Sequence, residues 1–423
     1  MARRSLIRRP RVLLLAAALA IAAAAVAGVE YARSTSGLPA VPYNPKSHPV
    51  TPARVLMPTA ESPRVASAGS TSTRHYEYVF PNGEMIVYDI DHGHRIVQRV
   101  ELPDAHTIRG VAVDPKMRLL YVSYGGDGDG NGNGSMLKYD LLRDRIIWEK
   151  DYSTGIDSMA ITHDGRRIYM PVGELNPADS WEVIDTRDGR VLTRIHAGQG
   201  PHNTTIGLSG RYVYLSPRDS PWLVVASTKT NKIVRKIGPM KSGVRPTTVN
   251  GKETLAFTTA THFLGFQVSS IRTGKVLYTV PIQGFTWNAD TYQNSAPSHG
   301  ISLSPDEKEV WVMDGPNSYV HVYDASGLPG RAPRHLADIK LTRPVAGDEQ
   351  PCVYDCNRSG WIQFSRSGRY VYVGDSGNVI DARTRKVVFD LQPLYDSKKT
   401  LELDWRRGVP VFTTTRAGLG YRR

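Results

Sequence analysis

Short apolar runs alternate with tight polar turns along most of this chain. Between residues 110 and 151 four such runs follow one another, namely Gly110–Asp114, Leu119–Tyr124, Met136–Leu141 and Arg145–Lys150. Runs of this length separated by Gly, Asp or Pro predict the strands of an antiparallel meander.

One hydrophobic pattern returns seven times. Each copy is an apolar strand that ends in Asp or Ser, then a tight turn, a basic residue and two apolar residues. The strand ends are Asp89, Asp140, Asp185, Ser227, Ser270, Asp324 and Asp381, which lie 51, 45, 42, 43, 54 and 57 residues apart. A period of roughly 40–50 residues built from short strands is typical of a β-propeller blade. The repeat therefore predicts an all-β fold over residues 75–423, a seven-bladed β-propeller of four-stranded antiparallel blades.

Closure of the ring involves both ends of the repeat region. Leu401–Trp405 has the pattern of a blade's first strand, whereas Tyr76–Phe80 and Val409–Thr414 both have the pattern of a second strand. We expect the first blade to be shared between N- and C-terminal segments, with the assignment of its second strand open.

The long loops fall on one face of the predicted propeller. Because strand direction reverses at every step of a meander, the loops from fourth to next first strand and from second to third strand emerge on the same side. All the long or unusual loops belong to these classes: 125–135, 173–180, 216–222, 283–298, 314–318 and 342–360. Long loops gathered on one face of a rigid scaffold are typical of a binding face. We call this side of the propeller the elaborated face.

The N-terminus has the features of a targeting segment. A basic start precedes the apolar run Val12–Val26, and Ala25-Val26-Ala27 fits a cleavage site. The alternative is an uncleaved signal anchor, since Val12–Val29 just reaches spanning length. Residues 1–27 are thus a predicted signal peptide or anchor, and residues 28–74 a flexible Pro- and Ser-rich linker. The propeller is expected outside the cytoplasm, with membrane contact only through the N-terminal segment.

Charge narrows the class of partner. The formal net charge is +13, but residues 1–27 carry five Arg and no acid, which leaves about +8 beyond them. The remaining basic residues are scattered, and a nucleic-acid platform needs them clustered. We therefore expect a monomer without nucleic-acid binding, whose partner is a small ligand, an envelope polymer or another protein.

The two cysteines, Cys352 and Cys356, lie four residues apart. In an oxidising compartment this spacing favours a local disulfide that closes a loop. Metal binding is the alternative interpretation.

Polar residues at the start of the inner strands are the candidate ligand-binding positions, because these strands line the central channel. His202 and His299 each follow a Pro-containing turn at such a start. The full candidate set is His106, Arg109, Asp157, His202, Arg245, His262 and His299. The alternative is that these side chains hydrogen-bond neighbouring blades at the channel rim.

Two metal sites are conceivable from the residue types. Neutral imidazoles of His202 and His299 with the carboxylates of Asp157 and Glu174 suit a transition metal. Separately, Asp127, Asp129 and Asn131 form the first half of an EF-hand-type calcium loop. The twelfth position of that loop is Lys138 instead of a bidentate Glu. A weak calcium site and a mobile Gly-rich hairpin tip both remain open.

The repeat units resemble those of the bacterial YVTN-repeat β-propellers. The resemblance is carried by Ser298–Glu307 and by Arg369–Asp375 and spans residues 75–421. It implies seven blades and an extracytoplasmic role, but it carries no activity. The hypothesis from sequence is therefore an exported binding or scaffold protein that presents one face to a ligand or partner. The alternative is a metal-dependent extracytoplasmic enzyme, an oxidoreductase or a lactonase- or lyase-like protein, with its site at the channel mouth.

Overall fold

Sheets account for nearly all of the regular structure. A computed structural model describes residues 38–414 except 58, 117, 129–130, 176–177, 293, 351 and 353–355. All regular elements belong to one unit that starts at Ala40. Its two helices are short, α1 (Pro63–Ala68) and a 3-10 turn at Gln392–Asp396. Neither helix has the length or apolar character needed to cross a membrane, and no other helix occurs in the described ranges.

Thirty-one strands are described, numbered along the chain. They are β1 (Lys46–His48), β2 (Arg54–Met57), β3 (Arg74–Val79), β4 (Glu84–Asp89), β5 (Arg95–Glu101), β6 (Gly110–Asp114), β7 (Leu119–Gly125), β8 (Gly134–Asp140), β9 (Arg145–Tyr152), β10 (Ala160–Ile161), β11 (Arg167–Pro171), β12 (Ser180–Asp185), β13 (Val191–His196), β14 (Pro201–Ile206), β15 (Tyr212–Pro217) and β16 (Leu223–Ser227). The others are β17 (Ile233–Ile237), β18 (Val244–Val249), β19 (Leu255–Ala260), β20 (Phe263–Ser270), β21 (Val276–Pro281), β22 (Ile301–Leu303), β23 (Glu309–Asp314), β24 (Tyr319–Asp324), β25 (Arg334–Lys340), β26 (Trp361–Phe364), β27 (Tyr370–Gly374), β28 (Asn378–Asp381), β29 (Lys386–Asp390), β30 (Thr400–Arg406) and β31 (Val409–Thr413).

These strands form seven antiparallel sheets, which confirms the predicted seven-bladed propeller. Blades 2 to 7 are the consecutive sets β6–β9, β10–β13, β14–β17, β18–β21, β22–β25 and β26–β29. In every blade the pairing of the third and fourth strands contains a register shift. Such a bulge increases the local twist and bends the outer strand.

Blade 1 closes the ring with strands from both ends of the repeat region. Its sheet runs β2-β5-β4-β3-β30-β31, so β30 is its first strand and β3 its second. The open assignment is thereby resolved in favour of Tyr76–Phe80. Val409–Thr413 instead pairs along the inner edge of β30 as an additional strand.

The described part of the predicted linker contains regular elements, namely β1, β2 and α1. β1 adds a fifth strand outside β9 of blade 2, and β2 lies outside β5 of blade 1. Tyr43 also exchanges backbone hydrogen bonds with Val191 of blade 3. Part of the segment between residues 38 and 74 therefore covers the outer edges of blades, which would otherwise expose unpaired backbone groups.

The apolar core lies between adjacent blades. Large aromatic side chains fill these interfaces, among them the fully buried Trp181, Trp311 and Trp405. Trp311 of blade 6 meets Phe364 of blade 7 edge to face at 5.5 Å. Interlocking of this kind fixes each first strand around the central channel and so fixes the side chains at its mouth.

Candidate functional site

Asp157, His202, Arg245 and His299 converge at the mouth of the channel on the elaborated face. His202 lies in β14 and Arg245 in β18, whereas Asp157 and His299 come just before β10 and β22. All four residues are buried, with at most 5% of the surface of each exposed. Because each occupies the start of an inner strand, the ring brings together residues that are far apart in sequence.

The two histidines contact each other directly. Nε2 of His202 lies 3.1 Å from Nε2 of His299, and their ring centres are 5.3 Å apart. On its other side, His299 places Nδ1 3.2 Å from the carbonyl oxygen of Gly360 and 3.0 Å from Oγ of Ser359. Gly360 has a φ of +81°, and a Cβ there would lie 2.7 Å from Met313, so only glycine fits this turn.

Two carboxylates face the opposite nitrogen of His202. Nδ1 lies 2.7 Å from Asp157 and 3.0 Å from Glu174. Glu174 comes from the loop after β11, and its Oε2 also lies 3.0 Å from Arg218 and 3.5 Å from Arg245. Both arginines hydrogen-bond Oγ of Ser295 on the loop before β22.

The surroundings separate the charge states of the two imidazoles. Burial opposes protonation of His202, but the charges of Glu174 and Asp157 outweigh it and raise its pKa. Burial and the charge of His202 lower the pKa of His299 well below its usual value. We infer a protonated His202 that donates its Nε2–H to a neutral His299, since the contact needs one donor and one acceptor.

The four candidate metal ligands His202, His299, Asp157 and Glu174 lie together at the channel mouth, and metal binding there stays a prediction. His202 directs Nδ1 at the two carboxylates and Nε2 at His299, so the four donors do not converge on one point. His202, Asp157 and Glu174 alone bring ligand atoms within 4.8 Å of one another. Since Arg218 and Arg245 already place positive charge on Glu174, a divalent cation would meet repulsion there.

A second buried network of ion pairs is centred on Glu349, in addition to the network that joins His202, Glu174 and the two arginines. Glu349 of the loop 341–360 lies 2.9 Å from Lys398 and 3.5 Å from Arg109. Burial opposes ionisation of Glu349, but Lys398 and Arg109 lower its pKa overall. Cys352 and Cys356 form a disulfide in this loop, and Nη2 of Arg109 lies 3.9 Å from Sγ of Cys352. Arg109 therefore ties the inner face of blade 2 to the loop.

A cavity in the channel lies directly beneath the histidines. Its wall includes Lys399, Trp361 and Ser158, together with Asn203, Thr204, Thr247, Thr400 and Thr414. Nζ of Lys399 lies 3.1 Å from Oγ of Ser158 and 4.1 Å from the ring centre of Trp361. Trp361 also packs against His299 at 5.9 Å, so one indole contacts both the cavity lysine and the histidine pair.

Other predicted site residues lie apart from this cluster. The side chains of His106 and His262 are exposed, and His262 stacks on Trp287 at 5.6 Å. In the predicted calcium loop, Asp127 is buried and accepts backbone hydrogen bonds from Glu174 and Leu175 at 2.6 and 2.8 Å. Burial raises the pKa of Asp127 to about 8. Asn131 is half-buried, and Asp129 falls outside the described residues.

Several site residues were not identified from sequence. Arg218 and Glu349 lie on the loops of the elaborated face, and Lys398 and Lys399 directly precede the closing strand β30. The adjacent lysines at the start of an inner strand were the available signal, because that position lines the channel in every blade. These two lysines line the channel because β30 closes the ring as the first strand of blade 1, and the sequence did not settle that closure.

Solved structures with the same fold cover most of this chain. A functionally unknown protein from Desulfotomaculum acetoxidans superposes with a TM-score of 0.57 at 11% identity, over 77% of this chain and 98% of its own. The periplasmic gluconolactonase PpgL of Pseudomonas aeruginosa gives 0.55 at 16% identity, over 81% and 98%. The dihydro-heme d1 dehydrogenase NirN gives 0.52 at 15% identity, over 88% and 84%. At these identities the neighbours share the fold with this chain and nothing further follows. No family model matches the chain, and no curated protein matches it.

Proposed function

We propose that this protein is an extracytoplasmic binding protein that takes a small carboxylate into the cavity at the centre of its propeller. One observation carries the proposal, the position of Lys399. Its side chain lines the cavity and is buried, and no carboxylate of a described residue lies within 4.0 Å of its Nζ. The basic N-terminal residues followed by an apolar run support the location outside the cytoplasm.

Lys399 places a buried ammonium group in the cavity. Burial, with the charges of Lys398 and Arg109, lowers the pKa of Lys399 to about 8, against a weaker opposing effect of Asp157. A protonated lysine in this position retains a hydroxyl and an aromatic face, but it has no ion pair with a carboxylate among the described residues. A carboxylate in the cavity would supply that ion pair, and buried charges are stable when they are paired and hydrogen-bonded. Thr204 accepts a hydrogen bond from Trp181, and Thr414 accepts hydrogen bonds from Gln363 and Glu402, so the hydroxyl hydrogens of these two threonines can serve as further donors.

Replacing Lys399 is expected to weaken carboxylate binding by about tenfold to a hundredfold, the usual value of a hydrogen bond to a charged group. The measurement is a titration of 13C-acetate followed by NMR, with the mature protein in chloride-free buffer. Lys399→Met tests the ammonium, and Lys275→Met, at an exposed position, is the matched control. Equal acetate affinity in Lys399→Met and the wild type would contradict the proposal.

Acetate binding is expected to weaken as pH rises through about 8, because the pairing needs protonated Lys399 and its pKa lies there. Above that pH the affinity should fall by roughly tenfold per pH unit, with one proton taken up on binding. Calorimetry in buffers of different ionisation enthalpy measures that uptake directly. A flat affinity between pH 7 and pH 10 would show that another group holds the anion.

The histidine contact favours a second candidate function, acid–base catalysis at the channel mouth. When His202 is neutral, His299 can accept a proton from water and pass one through His202 toward Asp157 and Glu174. Water would then attack an ester carbonyl, and the proton that the histidine pair removed from it would return to the alkoxide as the C–O bond of the ester breaks, so that an acid and an alcohol form without a further reactant. Asp157 and Glu174 raise the pKa of His202, so this activity should appear only above the usual titration range of histidine.

Hydrolysis of p-nitrophenyl acetate tests this candidate. His299→Ala is expected to lower the rate at least about a hundredfold, the usual contribution of a general base. Glu174→Gln should move the rising limb of the pH profile to lower pH, because it removes one charge that raises the pKa of His202. His262→Ala, at an exposed histidine outside the relay, should leave the rate unchanged. No turnover above the His299→Ala variant would exclude the enzyme and leave carboxylate binding untouched.

A further inference from the structure

Blade 6 carries a cluster of two histidines and two aspartates on its outer strands β23, β24 and β25, separate from the channel-mouth residues at the starts of the inner strands. Nδ1 of His321 and Nε2 of His335 each lie 2.6 Å from the same oxygen, Oδ1 of Asp338. The ligand atoms of these three residues are all within 4.8 Å of one another. We infer that His321, His335 and Asp338 form a binding site for a divalent transition metal of the zinc class.

The register of blade 6 explains why these three side chains meet. His321 of β24 pairs with Asp338 of β25 across the sheet, whereas Tyr323 pairs with His335. The intervening register skips Leu336, since Val322 pairs with Ala337. Residues three apart in a regular strand point to opposite faces, and this bulge returns His335 to the face of Asp338.

A carboxylate behind the site fixes the orientation of His321. Oδ2 of Asp314 lies 3.1 Å from Nε2 of His321, and both side chains are fully buried. Asn317 in turn donates its amide to both oxygens of Asp314 at 2.9 Å. A histidine that ligates a metal usually donates its other N–H to such a carboxylate, which sets the tautomer and directs the free nitrogen at the ion.

Aromatic packing holds both rings in place. Phe285 meets the ring of His321 edge to face at 4.6 Å, and Tyr319 stacks on it at 6.1 Å. His335 packs against Tyr323 at 5.5 Å. Rigid ligands of this kind reduce the cost of forming a metal site.

The donor set indicates the class of ion. Two imidazoles and one carboxylate suit zinc, copper or nickel, whereas calcium and magnesium prefer oxygen ligands alone. Zinc bonds of about 2.0–2.2 Å require only a small outward movement from the present separations. The side chains of His335 and Asp338 are 47% and 36% exposed, so the remaining coordination position would open to solvent. The inference is independent of the proposed carboxylate binding.

Calorimetric titration of ZnCl2 into the chelator-treated mature protein tests the site. We expect zinc binding whose affinity falls at least tenfold in His335→Ala and in Asp338→Asn. Asp314→Asn leaves all three ligands in place and should lower the affinity by about 10–100-fold through the orientation of His321. Binding of Co2+ to the wild type should give visible d–d absorption, a spectroscopic signal that a purely structural cluster lacks.

Two controls separate this site from other histidines. His75→Ala removes another partly exposed histidine that lies 2.9 Å from a carboxylate, that of Asp91, and should leave zinc binding unchanged. His202→Ala removes the channel-mouth histidine and should also leave it unchanged. Because His335 is exposed, its alanine variant should retain the wild-type unfolding temperature. Undetectable zinc binding, or equal affinity in His335→Ala and the wild type, would overturn the inference.

Discussion

A chain that stops after Lys399 is expected to show no cooperative unfolding transition. The truncation removes β30, the first strand of blade 1, and with it the buried side chains of Leu401, Leu403 and Trp405. Burying one such side chain stabilises a protein by about 1.5–3 kcal/mol, and three of them approach the whole stability of a typical domain. Removal of β30 also exposes the full inner edge of β3. Circular dichroism during thermal unfolding measures the effect.

A circular permutant provides the control for this truncation. Arg74 pairs with Trp405 across β3 and β30, so the end of β30 lies beside the start of β3. A chain that begins at Thr400, runs to Trp405, continues through an Asn-Gly turn to Arg74 and ends at Lys399 restores all four strands of blade 1. This permutant should regain a cooperative transition. A cooperative transition in the truncated chain itself would show that the ring closes without β30.

Arg194→Ala is expected to lower the free energy of unfolding by about 3–5 kcal/mol, the cost of leaving one partner of a buried ion pair alone. Nη2 of Arg194 lies 2.7 Å from Oε1 of Glu182, and the two side chains are 6% and 1% exposed. Tyr43 donates to the same oxygen at 2.8 Å. Burial already raises the pKa of Glu182 despite Arg194. The penalty should therefore shrink at low pH, where the uncompensated carboxyl is protonated.

The exposed pair Arg54 and Glu101 is the matched control. It also joins two adjacent strands at 2.8 Å, but its side chains are 68% and 35% exposed. Arg54→Ala should cost about 0.2–1 kcal/mol, since water solvates the carboxylate that remains. Urea denaturation of both variants gives the comparison. Equal losses would mean that burial does not decide the energetics of these ion pairs.

Sequence predicted the number of blades because each blade repeats the same alternation of apolar strands and polar turns. It missed β1 and β2, which are three and four residues long and largely exposed. Such strands are stabilised by the outer edges of blades 2 and 1 and have little hydrophobic pattern of their own. β31 was predicted as a strand but in the wrong place. Its pattern suggested the second strand of a blade, whereas it pairs with the inner edge of β30 as an additional strand.

The candidate site was predictable where position within the repeat determines position in space. His202 and His299 are 97 residues apart in sequence, yet both begin an inner strand, and their rings are in contact. Which nitrogen faces which partner was not predictable, although the choice of ligands for a metal ion depends on it. The role of Asp127 was also not predictable from sequence. An alternation of Asp and Asn can supply calcium ligands, but the same carboxylate can instead accept backbone hydrogen bonds from a neighbouring loop. The contact with Glu174 and Leu175 depends on blade packing.

The added strand β31 gives the propeller an asymmetric interior. Thr414, directly after this strand, forms part of the cavity wall and hydrogen-bonds Gln363 and Glu402. The preceding residues of β31 lie beside the turns of blades 2 and 3 on the side away from the long loops. β31 therefore narrows the interior on the side away from the long loops, and a molecule held at Lys399 would then enter and leave past the rim formed by the histidines and arginines. Exchange kinetics would then depend on the ion pairs of that rim, while the strength of binding depends on the cavity below.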